Sequence, residues 1–153
     1  MKSIVAPEEY VRDLTIFLGG GITDCPEWQT ELTQRLVHLP VVLFNPRRGK
    51  EIRPDGEEAK LQIKWEYKYL EKADIIVFWF PAEGKCMITL LELGAYSSTK
   101  KPLIIGVDNE YVRKLDVYEQ VALRRPELSI VSSLDDIIQE IEFQVRKNNG
   151  ETE

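Results

Sequence analysis

The run ADIIVFWFP, residues 73–81, constrains the fold more than any other stretch, because every side chain from Ile75 to Phe80 is apolar. A strand with one wet face alternates apolar and polar residues. One without alternation is covered on both faces, as in a parallel sheet with helices above and below. The rest of the chain supplies such a sheet. LTIFLGG (14–20), VVLFNP (41–46), PLIIGV (102–107) and LSIV (128–131) read as further strands. Helical patterns fall between them: PEWQTELTQRLVHL (26–39), with Trp28, Leu32, Leu36 and Leu39 on one stripe, AKLQIKWEYKYLEKA (59–73), the stretch opening at MITLLELGAY (87–96), VRKLDVYEQVAL (112–123) and SLDDIIQEIEFQVRK (133–147). Asp24-x-x-Glu27, with Pro26 in the first turn, reads as a capping box for the first helix. Five strands alternating with helices, joined by right-handed crossovers, predict an α/β fold. Its form is a flavodoxin-like, doubly wound five-stranded parallel sheet of order 2-1-3-4-5, with helices on both faces. No repeat, low-complexity segment or linker interrupts the pattern. Residues 1–153 are expected to form a single domain, with 1–12 as a leader and 148–153 as a tail at its periphery.

Composition narrows the function class. A chain of 153 residues, 43% hydrophobic and 30% charged, can bury a real core. Its net charge of −6 argues against a nucleic-acid binder, which needs a basic face to neutralise phosphates. A small anion held by a local arginine pair stays compatible with that balance. No apolar run approaches the ~18 residues of a membrane span. The opening MKSIVAPEEYVRD lacks the apolar core and cleavage site of a signal peptide. The expectation is a cytoplasmic domain with no membrane partner. Cys25 and Cys86 lack metal-ligand spacing, and His38 is the one histidine, so a zinc site or a Ser-His triad has little to build on. His38 itself reads as a surface residue near a helix end.

In a doubly wound sheet, ligands bind beyond the carboxyl ends of the strands, at the switch point between strands 1 and 3. Three loops meet there: GGGITDCPEW, NPRRGKEIRPDG and PAEGKCM. Gly19, Gly20 and Gly21 would let backbone approach a ligand, with a helix N-terminus behind them. The alternative is a tight strand-to-helix turn. The run matches neither a dinucleotide fingerprint, since position 24 is Asp, nor a Walker loop. Arg47 and Arg48 are candidate clamps for phosphate or base edges, or else a solvated pair. Among Trp65, Tyr67, Tyr69 and Trp79, only Trp79 lies near enough to a strand's carboxyl end to stack on a ligand; core packing is the other reading. Glu92 sits between Leu91 and Leu93, in a helix apolar through its first two turns. It must reach solvent, a partner or a pocket. Glu66, eight residues before Asp74, reads from pattern alone as a solvated helix acid. Asp74, at the amino end of its strand, reads as a structural loop or cap acid.

IFLGGG (16–21), WEYKYLEKADIIVFW (65–79) and LELGAYSSTKKPLIIG (91–106), in this order, resemble the nucleoside 2-deoxyribosyltransferases and related nucleoside and nucleotide N-glycosidases. The resemblance spans residues 14–107, with weaker support to Gln120. It implies that Glu92, in the E-L-G motif, is the nucleophile. It also implies that Glu66, twenty-six residues earlier, faces the sugar and base, which reverses the pattern-only reading. Three departures are visible. The family's helix acid is usually Asp; Phe17 stands where a tyrosine is common; and Cys86, with Glu83 nearby, stands six residues before Glu92 where known transferases have a base-contacting acid. The serine-rich phosphate pocket of the nucleotide-hydrolysing relatives has no counterpart at Cys86, which favours nucleosides. Taking the strand-end loops and the resemblance together, the expected substrate contacts are Phe17, Gly19, Gly20, Gly21, Asp24, Asn45, Arg47, Arg48, Trp79, Glu83 and Cys86.

The implied activity is transfer of 2-deoxyribose between nucleobases through a glycosyl-enzyme on Glu92, with nucleosides and nucleobases as partners and no metal or organic cofactor required. A hydrolase of nucleosides or their 5′-monophosphates is the alternative, and a non-catalytic nucleotide-binding module a further one. Relatives complete a neighbour's pocket from the region after the fourth strand. Asp108, Arg113, Asp116 and Gln120 are the candidates here, in a homodimer or larger oligomer. Two features bear on Glu92 as an anion. Apolar neighbours raise its pKa, while the glycine loop and a position near a helix start lower it. Gly94 and Ala95 read as small residues that let this helix lie close to the sheet.

Overall fold

The computed structural model describes residues 12–151. The first eleven residues of the expected leader and the last two of the tail lie outside the described residues. A four-stranded parallel sheet of order β2-β1-β3-β4 is built from β1 (Leu14–Gly20), β2 (Val41–Phe44), β3 (Ile75–Phe80) and β4 (Leu103–Val107). All three pairings are parallel, with Phe17 opposite Phe44 and Ile76, and Val77 opposite Ile104. The helices are α1 (Trp28–Arg35), α2 (Glu57–Lys72), α3 (Met87–Ser97), α4 (Lys114–Arg124) and α5 (Leu134–Asn148).

β3 is buried at all six positions, as its lack of alternation predicts. Successive side chains point to opposite faces of a strand, and each face has its own core. Ile76, Phe78 and Phe80 join Phe17, Leu103, Ile105 and Val107 beneath α2, α3 and α4. Ile75, Val77 and Trp79 join Ile16, Leu18 and Ile104 beneath α1 and α5. Two covered faces follow from right-handed crossovers that leave β1 in both directions across the sheet.

The fifth strand does not form. Of LSIV only Val131 pairs, bridging Gly106 in parallel: its N–H donates to Ile105 O, and its carbonyl accepts from Val107 N, each at 2.9 Å. The place beside β4 is thus taken by one residue. Two positions later Ser133 already caps α5, its hydroxyl accepting from Asp136 N at 3.1 Å, so the chain turns away before pairing can extend.

The first helix is also shorter than its pattern. Its stripe Trp28, Leu32 and Leu36 is buried as expected, but α1 ends at Arg35, and Leu36–Leu39 close as a turn ahead of Pro40. The residue before a proline is pushed out of the helical region, which stops the pattern early. The capping box is absent. Glu27 is the N-cap and makes no side-chain cap bond, while Asp24 lies outside the helix at φ 60°. Asp74 is structural, as read. It accepts from Thr15 N and Thr15 Oγ1, both at 2.9 Å, and from Arg12 at 2.5 Å. Burial pushes its carboxyl up, but the Thr15 bonds and the Arg12 charge outweigh that and hold it below the usual range. Among the described residues no helix is long and apolar enough to cross a membrane.

Candidate active site

The face carrying α2 and α3 brings two carboxylates together. Thr89, Glu92, Leu93 and Tyr96 recur at i, i+3, i+4 and i+7, which is one stripe of a helix. Thr89, Leu93 and Tyr96 are buried, so Glu92 turns inward with them and is half-buried. The apolar residues that made this helix look like core are on its other side: Met87, Ile88 and Leu91 are 71%, 61% and 69% exposed. Gly94 and Ala95 are exposed too, and a β-carbon on Gly94 would meet nothing within 4 Å, so neither lets α3 approach the sheet.

Glu66 occupies the matching position on α2. It shares the inward stripe with Gln62 and Leu70, while Ile63 and Tyr67 face out. Gln62 Nε2 donates to Glu66 Oε1 at 3.3 Å and to Pro46 O at 2.9 Å, tying the acid to the loop after β2. Sequence reasoning passed over Gln62, although its spacing of one helical turn before Glu66 was the available signal. Trp65 packs on Phe17 of β1 with ring centroids 6.2 Å apart and on Tyr69 at 4.6 Å, which makes an aromatic wall beside Glu66. Tyr96 donates its hydroxyl to Glu71 Oε1 at 2.6 Å and so clamps α3 to α2 below the acids.

Electrostatics set this pair apart from the other acids. Burial, with the neighbouring Glu66 carboxylate adding to it, pushes Glu92 up to about 8. Burial also raises Glu66, against the hydrogen bond from Gln62. Neither acid has a cationic partner among the described ion pairs. The expected help from the α3 dipole is not felt: Glu92 is the sixth residue of the helix, beyond the first turn where the dipole acts. Two carboxylates near one another with no cation beside them favour a proton on Glu92 at neutral pH, an arrangement suited to acid–base and nucleophilic work. Among the described residues no three His, Cys, Asp or Glu side chains cluster in a way that could hold a metal. Two surface hollows lie elsewhere. One is lined by Ser97, Thr99, Arg124 and Arg125 and the other by Arg12, Leu14, Asp74 and Asn148; neither includes Glu66 or Glu92.

The other expected contacts divide. Trp79 is buried on the opposite face of the sheet among Ile104 and Ile137, so it is a core residue and not a stacking platform. Phe17 is fully buried behind Trp65. Gly19 and Gly20 back onto protein: a β-carbon on Gly19 would stand 3.0 Å from the Phe78 ring, and one on Gly20 2.5 Å from the Trp28 ring. Gly20 is also at φ 157°. Trp28 Nε1 then donates to Gly21 O at 2.9 Å, so the glycine run is chiefly a tight turn seated on α1.

Arg47 is engaged within the protein. It donates to the carbonyls of Pro26 at 2.6 Å, Cys25 at 2.9 Å and Ile22 at 3.2 Å, and to Gln29 Oε1 at 3.1 Å. Its guanidinium thereby fastens the loop after β1 to the loop after β2. Arg48 pairs with Glu58 at 2.9 Å, and Asn45 Oδ1 accepts from Arg47 N to close a turn. Asp24 and Glu83 are exposed on the segments after β1 and β3, and Cys86 is the N-cap residue of α3, in the left-handed region at φ 55° and with no side-chain cap bond. Asp108, Arg113, Asp116 and Gln120 lie beyond β4. Asp108 accepts from Glu110 N, Arg113 pairs with Asp116 at 2.9 Å, and Gln120 accepts from Arg124.

Three comparisons with known proteins complete the site's description. The family model described as "Nucleoside 2-deoxyribosyltransferase like" matches residues 13–111, a span that holds both acids and all four strands. A crystal structure of a conserved protein from Enterococcus faecalis V583 aligns with a TM-score of 0.62 at 15% identity, covering 86% of this chain and 99% of that one. Likeness at that identity is a likeness of fold. No curated protein matches the sequence.

Proposed function

The chain belongs to the nucleoside 2-deoxyribosyltransferase-like family, and from that premise we propose that it transfers 2-deoxyribose between nucleobases through a covalent intermediate on Glu92. The observation that carries this reading is the coupled, inward-facing pair Glu66 and Glu92 on adjacent helices of one sheet face. In the first step the Glu92 carboxylate attacks C1′ while the C1′–N bond breaks. The leaving nitrogen takes the proton held by Glu66, directly or through one water. In the second step a nitrogen of the incoming base attacks C1′ of the glycosyl ester, its proton returns to Glu66, and Glu92 is freed. Two displacements retain the anomer, as in retaining glycosidases. General-acid help of this kind is worth roughly 10²–10⁴-fold.

The reactive microstate has Glu92 ionised and Glu66 protonated. In the free protein the order favours a proton on Glu92, whose pKa is the one raised to about 8. Charge developing at C1′ stabilises the Glu92 anion, and the leaving base draws the proton toward Glu66. Nucleosides are preferred over their 5′-monophosphates, because Arg47 is occupied by backbone carbonyls and Arg48 by Glu58. A nucleotide-binding module without chemistry would gain nothing from two carboxylates facing its anionic ligand. Hydrolysis is the second reading, favoured by the incomplete burial of Glu92, which in a lone chain admits water. A second copy covering that opening favours transfer, in line with the expected homo-oligomer.

One assay separates these readings. A 2′-deoxynucleoside is incubated with and without a free acceptor base, and products are resolved by chromatography. Base exchange that requires the acceptor, abolished in Glu92→Gln, is the expected result. Release of free base at the same rate without acceptor makes the protein a hydrolase. Turnover near wild type in Glu92→Gln would remove Glu92 as nucleophile.

A further inference from the structure

The two cysteines of the chain lie sixty-one positions apart in sequence and meet between the segments that follow β1 and β3. A β-carbon placed on Gly21 would stand 2.5 Å from Cys25 Sγ and 2.8 Å from Cys86 Sγ, so the sulfurs are separated by no more than the sum of those distances. One placed on Gly84 would run into Cys25 Sγ and stand 3.4 Å from Cys86 Sγ. Neither glycine has a positive φ. Their lack of a side chain therefore serves space, and the volume it frees is the volume the two sulfurs share. Both thiols are free and half-buried.

The backbone on each side is held in place. Asp24 and Cys86 are the non-glycine residues with positive φ among the described residues, at 60° and 55°, and they sit on the two loops that present the sulfurs. Such conformations persist only where the surroundings impose them. Arg47 grips Cys25 O at 2.9 Å, Tyr111 Oη donates to Lys85 O at 2.7 Å next to Cys86, and Gly21 N donates to Trp79 O at 3.3 Å between the loops.

We propose that Cys25 and Cys86 form a redox-modification site, at which a low-molecular-weight disulfide such as oxidised glutathione installs a reversible intramolecular disulfide that ties the loop after β1 to the start of α3. The exchange balances in two steps. The Cys25 thiolate attacks one glutathione sulfur, forming a mixed disulfide and expelling one glutathione thiolate. The Cys86 thiolate then attacks Cys25 Sγ, closing the protein disulfide and expelling the second glutathione. Two electrons and the two thiol protons pass from the protein to two molecules of reduced glutathione. The order follows from the surroundings. Burial raises both thiols, but Cys25 is relieved by a hydrogen bond from Cys86 and by the Arg47 charge, against Glu83 and Asp24, whereas burial and Cys25 push Cys86 up to about 12. The thiol more easily ionised attacks first.

With the disulfide closed, the loops on either side of the β1–β3 opening are pinned to one another and substrate entry slows. This gating rests on the proposed role of Glu92; the disulfide itself does not.

The test equilibrates the full chain in glutathione buffers of graded redox ratio, traps free thiols by alkylation, and reads the products by mass spectrometry. The expected species is about 2 Da lighter than the reduced chain and appears with a single two-electron midpoint. It yields a cross-linked peptide joining Cys25 to Cys86, and dithiothreitol reverses it. Glutathione adducts without that peptide, two alkylated thiols in excess oxidised glutathione, or bonds between two chains would each overturn the site. Gly84→Ala, whose β-carbon displaces the Cys25 sulfur, is expected to lower the closure constant about tenfold or more; an unchanged constant refutes the packing argument. In the gating assay, oxidation slows wild-type turnover and leaves Cys25→Ser unaffected. Equal turnover in both wild-type redox states overturns the gating. Absence of turnover in both states overturns the proposed reaction and the gating with it, while the trapped thiols still decide the disulfide.

Discussion

Replacing Glu92 by glutamine removes a charge that the folded chain resists carrying, and the consequence is a stability that changes with pH in a definite direction. Burial and the Glu66 carboxylate raise Glu92 from its ordinary 4.5 to about 8. Between those values the folded chain keeps a proton on Glu92 that the unfolded chain has lost. The folded state then binds more protons, so stability falls as pH rises through this window and levels off above it. Each pH unit costs about 1.4 kcal/mol at full effect, so the whole span costs about 5 kcal/mol as an upper bound. Water reaching a half-buried side chain, and the coupled titration of Glu66, reduce that figure.

Glu92→Gln escapes the penalty. Its stability relative to wild type is expected to be nearly constant below about pH 4.5, to grow up to pH 8, and then to stay flat. At roughly 2–4 °C per kcal/mol for a chain of this size, the gap in melting temperature widens by several degrees across the window. Thermal unfolding of both proteins by circular dichroism, at closely spaced pH values, measures it. A lost hydrogen bond or altered packing in the variant adds a constant offset, which the pH dependence ignores. Glu66→Gln serves as the internal control: with the neighbouring charge gone, Glu92 titrates lower and the wild-type decline ends at lower pH. A melting gap independent of pH, or one that narrows toward pH 8, would refute the burial and coupling assigned to this pair, whatever reaction the protein catalyses.

Two further outcomes test the surrounding site. The pair must hold one proton to work as proposed, so kcat/KM for deoxynucleoside is expected to be bell-shaped, with its alkaline limb falling near pH 8 as Glu92 and Glu66 lose their last shared proton; a profile flat through pH 9 would count against the assignment. Arg47→Lys is expected to destabilise the chain by about 1.5–3 kcal/mol, because a point ammonium cannot reach the carbonyls of Pro26, Ile22 and Cys25 and Gln29 Oε1 together. Hydrogen exchange should show the loss of protection confined to the loops after β1 and β2, and unchanged protection there would mean the guanidinium does not hold them.

The sheet was legible because its signal is redundant. Six apolar positions in a row at Ile75–Phe80 admit few arrangements, and the residues that alternate between the two cores do so with the strand period in every pairing. The elements misjudged were those decided by their neighbours along the chain. LSIV has the composition of a strand but has α5's cap two residues away, and composition carries no term for that. Asp24 has the type and spacing of a cap, but the turn demanded a left-handed residue at that position.

The site was legible in one dimension and opaque in another. Spacing along α3 could have placed Glu92 inward, since Thr89, Glu92, Leu93 and Tyr96 form a single stripe. What hid it was apolarity on both sides of the helix: Met87, Ile88 and Leu91 suggested a buried face where the fold leaves an exposed one. An apolar pattern records that a face avoids water and is silent on whether this chain or another covers it. Roles that depend on geometry across the fold were harder still. Arg47 could not be known as a loop fastener before β1 and β2 were adjacent, nor Cys25 and Cys86 as neighbours before Gly21 and Gly84 were seen to make room for them. A guanidinium advertises anion binding from sequence because phosphate and backbone carbonyl offer it the same lone pairs. Only the count of carbonyls already in reach tells the two uses apart, and for Arg47 that count leaves the substrate little to bind.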